Sequence, residues 1–268
     1  NLSTGAIPTM DALSNLGHQT MTPANNTQKT IVSLFDYTGN MVQPWAEAGH
    51  KCYIFDIQHE GQQTRKTYPS GGFIQSYAAD LSDPKALKEI AGLSPDLIFS
   101  FPPCTDLAVS GAKHFAKKEL ANPEFQREAV ELARTALDLS NILLFDHGKT
   151  VPWIAENPIS VLSTKWRKPD HIFNPCDFGG YLSEPEYAHP EYPEIIPARD
   201  AYTKKTCIWA GRGFIMPSPR PVEPQTAGTQ GTTPLHALLG GKSQRTKNIR
   251  SATPRGFAKA VFVANALT

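Results

Sequence analysis

The chain has 268 residues, 40% of them hydrophobic and 19% charged, with a formal net charge of +1. That is long enough for one domain with a sizeable core and excludes both a disordered and a fibrous chain. No run of 18 apolar residues is present, so no membrane partner is expected, and with no charged-then-apolar leader the expected compartment is cytoplasmic.

The charge is unevenly spread. Residues 1–200 hold 16 Lys+Arg against 24 Asp+Glu, whereas residues 201–268 hold 10 against the single Glu223, which points to an anionic partner near the C-terminal part. The four cysteines, Cys52, Cys104, Cys176 and Cys207, lack the paired spacing of a disulfide framework. His171, Cys176, His189 and Cys207 fit no recurring ligand pattern, so no metal is expected.

Residues 1–29 are polar and without period, and read as a loosely ordered arm. Thr30–Phe35 reads as a strand, Asp36-Tyr37-Thr38-Gly39-Asn40 as the turn after it, Met41–Gly49 as a helix and Lys51–Phe55 as a second strand ended by Asp56. This strand–turn–helix–strand unit, with an acid about 20 positions after the first strand, suits a nucleoside cofactor, although the turn lacks the glycines of a dinucleotide fingerprint. A short strand over 71–77 leads to Asp80-Leu81, and a helix over 83–92 has Asp83 as cap and Pro84 at its first position.

Leu97–Ser100 has the length and apolarity of a buried parallel strand. Phe101-Pro102-Pro103-Cys104 follows, and two prolines forbid both helix and further pairing, so a thiol is presented at a strand end. A long amphipathic pattern over 119–147 includes Phe125, Ala129, Leu132, Ala136, Leu139 and Leu143. Thr150–Ala155 is the next strand and ends in Glu156-Asn157-Pro158. Strands alternating with helices imply a doubly wound parallel sheet. Residues 161–245, rich in Pro, Gly and aromatics, form a small irregular region whose best strand is Thr206–Trp209, with 222–245 read as mobile. A helix opened by Thr253-Pro254 closes the chain, with Phe257, Val261 and Ala264 on one face. The expected organisation is an arm (1–29), a cofactor-binding and catalytic core (30–160), a recognition region (161–245) with a core strand near 204–210, and a C-terminal helix (246–268) packed back on the core.

Cys104 and Glu156 end separate strands, and the carboxyl ends of parallel strands converge on one edge. A thiolate and a carboxylic acid form a workable pair for covalent catalysis on an electron-poor ring: the sulfur adds to carbon while the acid protonates a ring nitrogen.

These stretches resemble the S-adenosylmethionine-dependent DNA cytosine-5 methyltransferases. Pro103-Cys104 followed six residues later by Ser110-Gly111 is similar to that family's nucleophile loop, and Glu156-Asn157 to its Glu-Asn motif. Phe35 and Gly39, Asp56, Asp80-Leu81 and the closing helix (251–265) fall in the family's order, so the resemblance covers about 30–160 and 199–268. It implies a Rossmann-like methyltransferase fold with S-adenosyl-L-methionine as cofactor. Phe35, Asp36, Tyr37, Gly39, Asn40, Asp56, Ile57, Asp80, Leu81, Pro103 and Ser251 would contact that cofactor. Cys104 would attack carbon 6 of a flipped cytosine, Glu156 would engage ring nitrogen 3, and Lys205 would stand where the family carries a base-contacting Arg. Ser110, Lys113, Lys204, Arg212, Arg245, Lys247 and Arg250, together with Lys242, would meet DNA.

Departures are Thr105 after the cysteine, a turn with one glycine, lysines for the Arg motif, and a short recognition region. They resemble a compact branch of the kind encoded by phages and mobile elements. They leave two alternatives open: the same chemistry on free cytosine nucleotide or single-stranded nucleic acid, and a catalytically silent nucleic-acid-binding module. Oligomeric state is not legible.

Overall fold

The computed structural model describes residues 28–225, 239 and 243–266. Most of the expected arm, the middle of the stretch read as mobile, and Lys242 lie outside these residues. Eight strands form one sheet: β1 (Thr30–Leu34), β2 (Lys51–Phe55), β3 (Arg65–Thr67), β4 (Phe73–Tyr77), β5 (Leu97–Ser100), β6 (Trp153–Pro158), β7 (His171–Phe173) and β8 (Thr206–Gly211). Their order is β3-β4-β2-β1-β5-β6-β8-β7. The five central strands, β4 to β6 in that order, run parallel, whereas β3 and β8 run against their neighbours. The direction of winding reverses between β1 and β5, the place where an open α/β sheet leaves a crevice for ligands.

The fold is therefore α/β and Rossmann-like, covered on both faces. Alternation along the strands sends Val32, Leu34 and Ile98 to one face, with Leu87, Ala136, Leu139 and Leu143 of the helices Pro84–Ala91 and Thr135–His147. It sends Ile31, Phe99 and Ile154 to the other, against Trp45 of helix Gln43–Glu47 and Phe257 and Val261 of helix Arg255–Asn265. The Trp45 and Phe262 rings meet edge to face at 5.1 Å and lock that second layer.

Three expected elements differ. The amphipathic pattern over 119–147 is not one helix but Phe115–Ala121, Phe125–Ala133 and Thr135–His147. Asn122 precedes Pro123 and is extended (φ −146°, ψ 100°), because the proline ring crowds the α region of the residue before it. The single C-terminal helix expected over 246–268 is likewise two: Arg255–Asn265 follows Thr253-Pro254 as expected, whereas Gln244–Ser251, capped by the Ser243 side chain accepting from the Thr246 N–H, is separate from it. Pro254 has no N–H to carry the ladder through. The strand expected over 150–155 lies later, at 153–158, so Glu156 and Asn157 are inside a paired strand rather than in the loop beyond it. Gly148, left-handed at φ 65°, ends the helix before that strand.

Candidate active site

Two peptides place the reactive groups. After β5 the chain is bound to β1 by the Phe101 N–H donating to the Leu34 carbonyl at 3.0 Å, and Pro102-Pro103 then swing Cys104 over the sheet edge. Beyond Cys104 the loop folds back, with the Leu107 and Ala108 N–H groups donating to the Cys104 carbonyl at 3.1 and 2.8 Å. It is laced to the segment after β6: Val109 N–H to Ile159 carbonyl (3.2 Å), Val161 N–H to Leu107 carbonyl (3.0 Å), with Ala108 bridging Ser160. The Asn157 Nδ2 donates to the Pro102 carbonyl at 2.9 Å in the interior, which ties the cysteine loop to the strand carrying the acid. Lys118 holds the other side of the loop, donating to the Thr105 carbonyl at 3.1 Å and pairing with Asp106.

Cys104 and Glu156 line one cavity of about 700 Å³, with Phe35, Asp36, Tyr37, Asp56 and Gln58 at its β1–β2 end. The size suits a drug-sized or cofactor-sized ligand. Cys104 is exposed to it. Glu156 Oε1 is buried and has no hydrogen-bond partner among the described residues, as does Asn157 Oδ1. Native structures satisfy the great majority of such atoms, so an orphan facing a cavity calls for a ligand. Burial pushes the Glu156 carboxyl up from the usual range, opposed by the Lys204 ammonium. Burial also pushes the Cys104 thiol up, and the Glu156 charge adds to this while Lys204 opposes it. Once Glu156 is protonated its repulsion vanishes, and Lys204 is left to oppose the effect of burial on the thiolate. A neutral acid beside the sulfur thus eases ionisation of the sulfur.

Lys204 reaches this edge because β8 runs antiparallel to β6 and starts there, Glu156 standing opposite Ile208 and Pro158 opposite Thr206. Lys204 also donates to the Arg250 carbonyl at 2.8 Å, which anchors the helix Gln244–Ser251 over the cavity. Gln58 Oε1 fixes the other side of that helix, accepting from Gln244 (2.8 Å) and Asn248 (3.2 Å).

At the β1–β2 end Phe35 takes a left-handed backbone (φ 53°), an outlier for a bulky residue that concentrates at functional turns. Asp36, buried, accepts from the Ser33 hydroxyl (2.8 Å) and the Gly39 and Thr38 N–H groups (2.7 and 3.1 Å). Its carboxyl, raised by burial against those bonds, builds the turn. Gly39, at φ 70°, supplies the turn's one left-handed glycine. Asp56 accepts the Gln58 N–H on Oδ1 (2.8 Å), leaving Oδ2 without a partner among the described residues. An acid with one free oxygen beside two aromatic residues fits a nucleoside.

Of the residues singled out from sequence, Cys104, Glu156, Lys205, Phe35, Asp36, Tyr37, Asp56, Pro103, Ser251, Ser110, Lys204, Lys247 and Arg250 line the cavity. Gly39, Asn40, Ile57, Asp80, Leu81, Lys113 and Arg245 do not. Leu81 is packed in the core, Asp80 accepts from Ser82, Ile57 is open to solvent, Asn40 donates to the Thr253 carbonyl and Arg245 lies over Tyr192. Arg212 requires a correction. The six residues of β8 carry the chain across the sheet, so Arg212 sits at the opposite edge, bonded to Asn141 and lining a separate 450 Å³ cavity with Trp45 and Lys149. Sequence reasoning missed the Asn157 clamp and the helix Gln244–Ser251. The buried Asn of Asn157-Pro158 and the Ser243 cap were the available signals.

No family model matches the chain, and no curated protein matches it. Among solved structures, a nucleoside-diphosphate-sugar epimerase from Agrobacterium tumefaciens aligns over 44% of this chain and 36% of its own, at 19% identity and a TM-score of 0.25. A methyltransferase of Entamoeba histolytica, EhMeth, aligns over 82% of this chain and 62% of its own, at 13% identity and a TM-score of 0.39. The chain spans less than two thirds of either protein, and at these scores neither likeness carries a functional argument.

Proposed function

We propose that this chain transfers a methyl group from S-adenosyl-L-methionine to carbon 5 of cytosine in DNA through a covalent cysteine adduct. The observation that carries the reading is the shared cavity: an exposed thiol in the loop after β5 and a buried carboxyl with an unpartnered oxygen on the neighbouring β6, with Phe35, Tyr37 and Asp56 lining the same space. Asp56 Oδ2 would hold ribose hydroxyls, with Phe35 and Tyr37 beside the adenosine. When bound, the cofactor supplies an electrophilic methyl on a sulfonium.

Glu156, whose carboxyl burial pushes up, donates its proton to ring nitrogen 3 and draws electron density from the ring. Cys104 sulfur, as thiolate, adds to carbon 6, and the electron pair of the 5,6 double bond moves to carbon 5, the methyl acceptor. Loss of the carbon 5 proton to solvent then leaves the C–H bonding pair to re-form the 5,6 double bond, which expels the sulfur as thiolate, and ring nitrogen 3 returns its proton to Glu156. Lys204 supports the thiolate, and Lys205, Lys247 and Arg250 meet phosphates.

The test is incubation with labelled S-adenosylmethionine and duplex DNA, single-stranded DNA or deoxycytidine nucleotides. Label is expected in DNA. Label in the nucleotides alone overturns the DNA assignment, and label in none overturns the activity. DNA carrying 5-fluorocytosine is expected to trap the protein covalently at Cys104, since fluorine cannot leave as the proton does.

A further inference from the structure

We propose that the cavity at the amino ends of β1, β5 and β6 is a second ligand site, built for a small phosphate monoester. Lys29, Asp96 and Pro152, each just before one of those strands, line this space of about 450 Å³, which shares no lining residue with the cavity of Cys104 and Glu156. Its volume is that of a small-molecule site. Two donors on its walls lack partners. The Trp45 indole is fully buried, and neither its Nε1–H nor the buried Nε–H of Arg212 has a hydrogen-bond partner among the described residues. Neither group can accept a hydrogen bond, so whatever satisfies them is an acceptor. Buried donors are nearly always satisfied, and two orphans lining one cavity call for a shared one.

The backbone holds Arg212 there under strain. The turn Gly211–Phe214 is closed by the Phe214 N–H donating to the Gly211 carbonyl at 3.3 Å, and both its central residues are left-handed, Arg212 at φ 53° and Gly213 at φ 89°. Glycine adopts that conformation freely and arginine does not, and strained non-glycine residues gather at ligand clamps. Asn141 accepts from Arg212 Nη2, which fixes the guanidinium and with it the direction of Nε. Charge then selects the ligand. Three cations, Lys29, Lys149 and Arg212, and one carboxylate, Asp96, line the cavity. The Lys149 ammonium is committed to Asp96 at 2.7 Å and to Ser94, so that pair cancels and two positive charges remain in excess. A phosphate monoester brings about −1.5 to −2 at neutral pH, whereas a carboxylate or a phosphodiester brings a single charge. Leu97 and Pro152 offer an apolar wall to the organic part of the ester.

The test is a nuclear magnetic resonance titration of the full chain carrying nitrogen-15 tryptophan, at constant ionic strength. The probes are phenyl phosphate, benzoate and methyl phenyl phosphate, which share a ring and differ in the anionic head. The chain has 4 tryptophans, and the Trp45 indole signal is identified by its proximity to the rings of His50 and Phe262. Phenyl phosphate should shift the Trp45 indole N–H saturably and leave the other indoles unmoved. Benzoate and methyl phenyl phosphate should need about tenfold more for the same shift. Arg212→Gly is expected to fold, since glycine suits the left-handed turn, and should raise the phenyl phosphate midpoint by about tenfold. No saturable shift at Trp45, equal midpoints for the three probes, or an unchanged midpoint in Arg212→Gly overturns the site. No outcome is read from methyl transfer, so the proposed activity stands or falls separately.

Discussion

Asn157 offers the sharpest test of how the site is held. Its side chain is 1% exposed and its Nδ2 donates to the Pro102 carbonyl at 2.9 Å, two residues before the sulfur. Asn157→Ala leaves that carbonyl buried and unsatisfied, at about 1–3 kcal/mol. The same change removes the orphaned Asn157 Oδ1, which offsets part of the cost, so a net loss of roughly 2 kcal/mol is expected. For a chain of this size that is about 4–8 °C in Tm. The catalytic effect should be larger, because a shift of about 1 Å in a reacting group costs on the order of 100-fold. Thermal unfolding would be measured beside single-turnover methyl transfer and S-adenosylmethionine binding. Transfer should slow by about 100-fold, while affinity for the cofactor, which the proposed function assigns to the β1–β2 end of the cavity, should stay within about twofold. A drop in Tm with wild-type transfer rates would show that the clamp only stabilises. An unchanged Tm and rate would show that the bond contributes nothing in solution.

Other outcomes follow from the same geometry. Cys104→Ala should abolish transfer and 5-fluorocytosine trapping while S-adenosylmethionine still binds in calorimetry; an active variant would remove the nucleophile. Glu156→Gln can hydrogen-bond but cannot give up a proton, and should lose about 100- to 10,000-fold in single-turnover rate. Because the Glu156 carboxyl is raised above its ordinary 4.5, its contribution to wild-type stability is full below that pH and declines as pH rises through the folded-state value; denaturant midpoints against pH should show this slope flattened in Glu156→Gln. Glu186 goes the other way: burial alone would raise it, but bonds from Lys259 and Ser183 hold it at about 2. Its contribution is present above 4.5 and fades as pH falls toward 2, so Glu186→Gln should be less acid-sensitive over that window in the same titration. With four cations at the mouth, duplex binding should weaken with salt at a log–log slope of about −3 to −4, and a flat response in fluorescence titrations would deny them phosphate contacts.

Much of the sheet was readable because its strands follow local rules. Lys51–Phe55 and Leu97–Ser100 begin and end as expected, bounded by His50, Asp56 and the Pro-Pro step. Pro84–Ala91 starts at its Asp83 cap, whose side chain accepts from the Lys85 N–H. The meeting of Cys104 and Glu156 in one cavity was legible from strand order alone, since parallel strands end at one edge. What escaped depends on partners far away in the chain. β3 and β7 are three residues each and acquire their conformation by pairing with β4 and β8. That Arg212 falls on the wrong edge follows from the antiparallel run of β8, which nothing local to 206–212 announces. Lys204 rather than Lys205 is the cation that acts on both Cys104 and Glu156, and adjacent identical residues cannot be told apart until the strand register is known.

The pairing of Pro158 with Thr206 has an evolutionary consequence. Everything between those two positions is an excursion whose exit and return are stapled side by side by the ladder of β6 and β8. Closing such a loop costs only slowly more as it lengthens, about 0.6 kcal/mol per doubling. Sequence could be added or exchanged in its exposed turns while Lys204 stays put against Glu156, provided that 159–162, which brace the cysteine loop and the core, and Phe173, Phe178 and Asp200, which pack on or bond to the C-terminal helix layer, are kept. Under the proposed function, the residues that would do the chemistry and those that would choose its target are in this sense separately heritable parts of one chain.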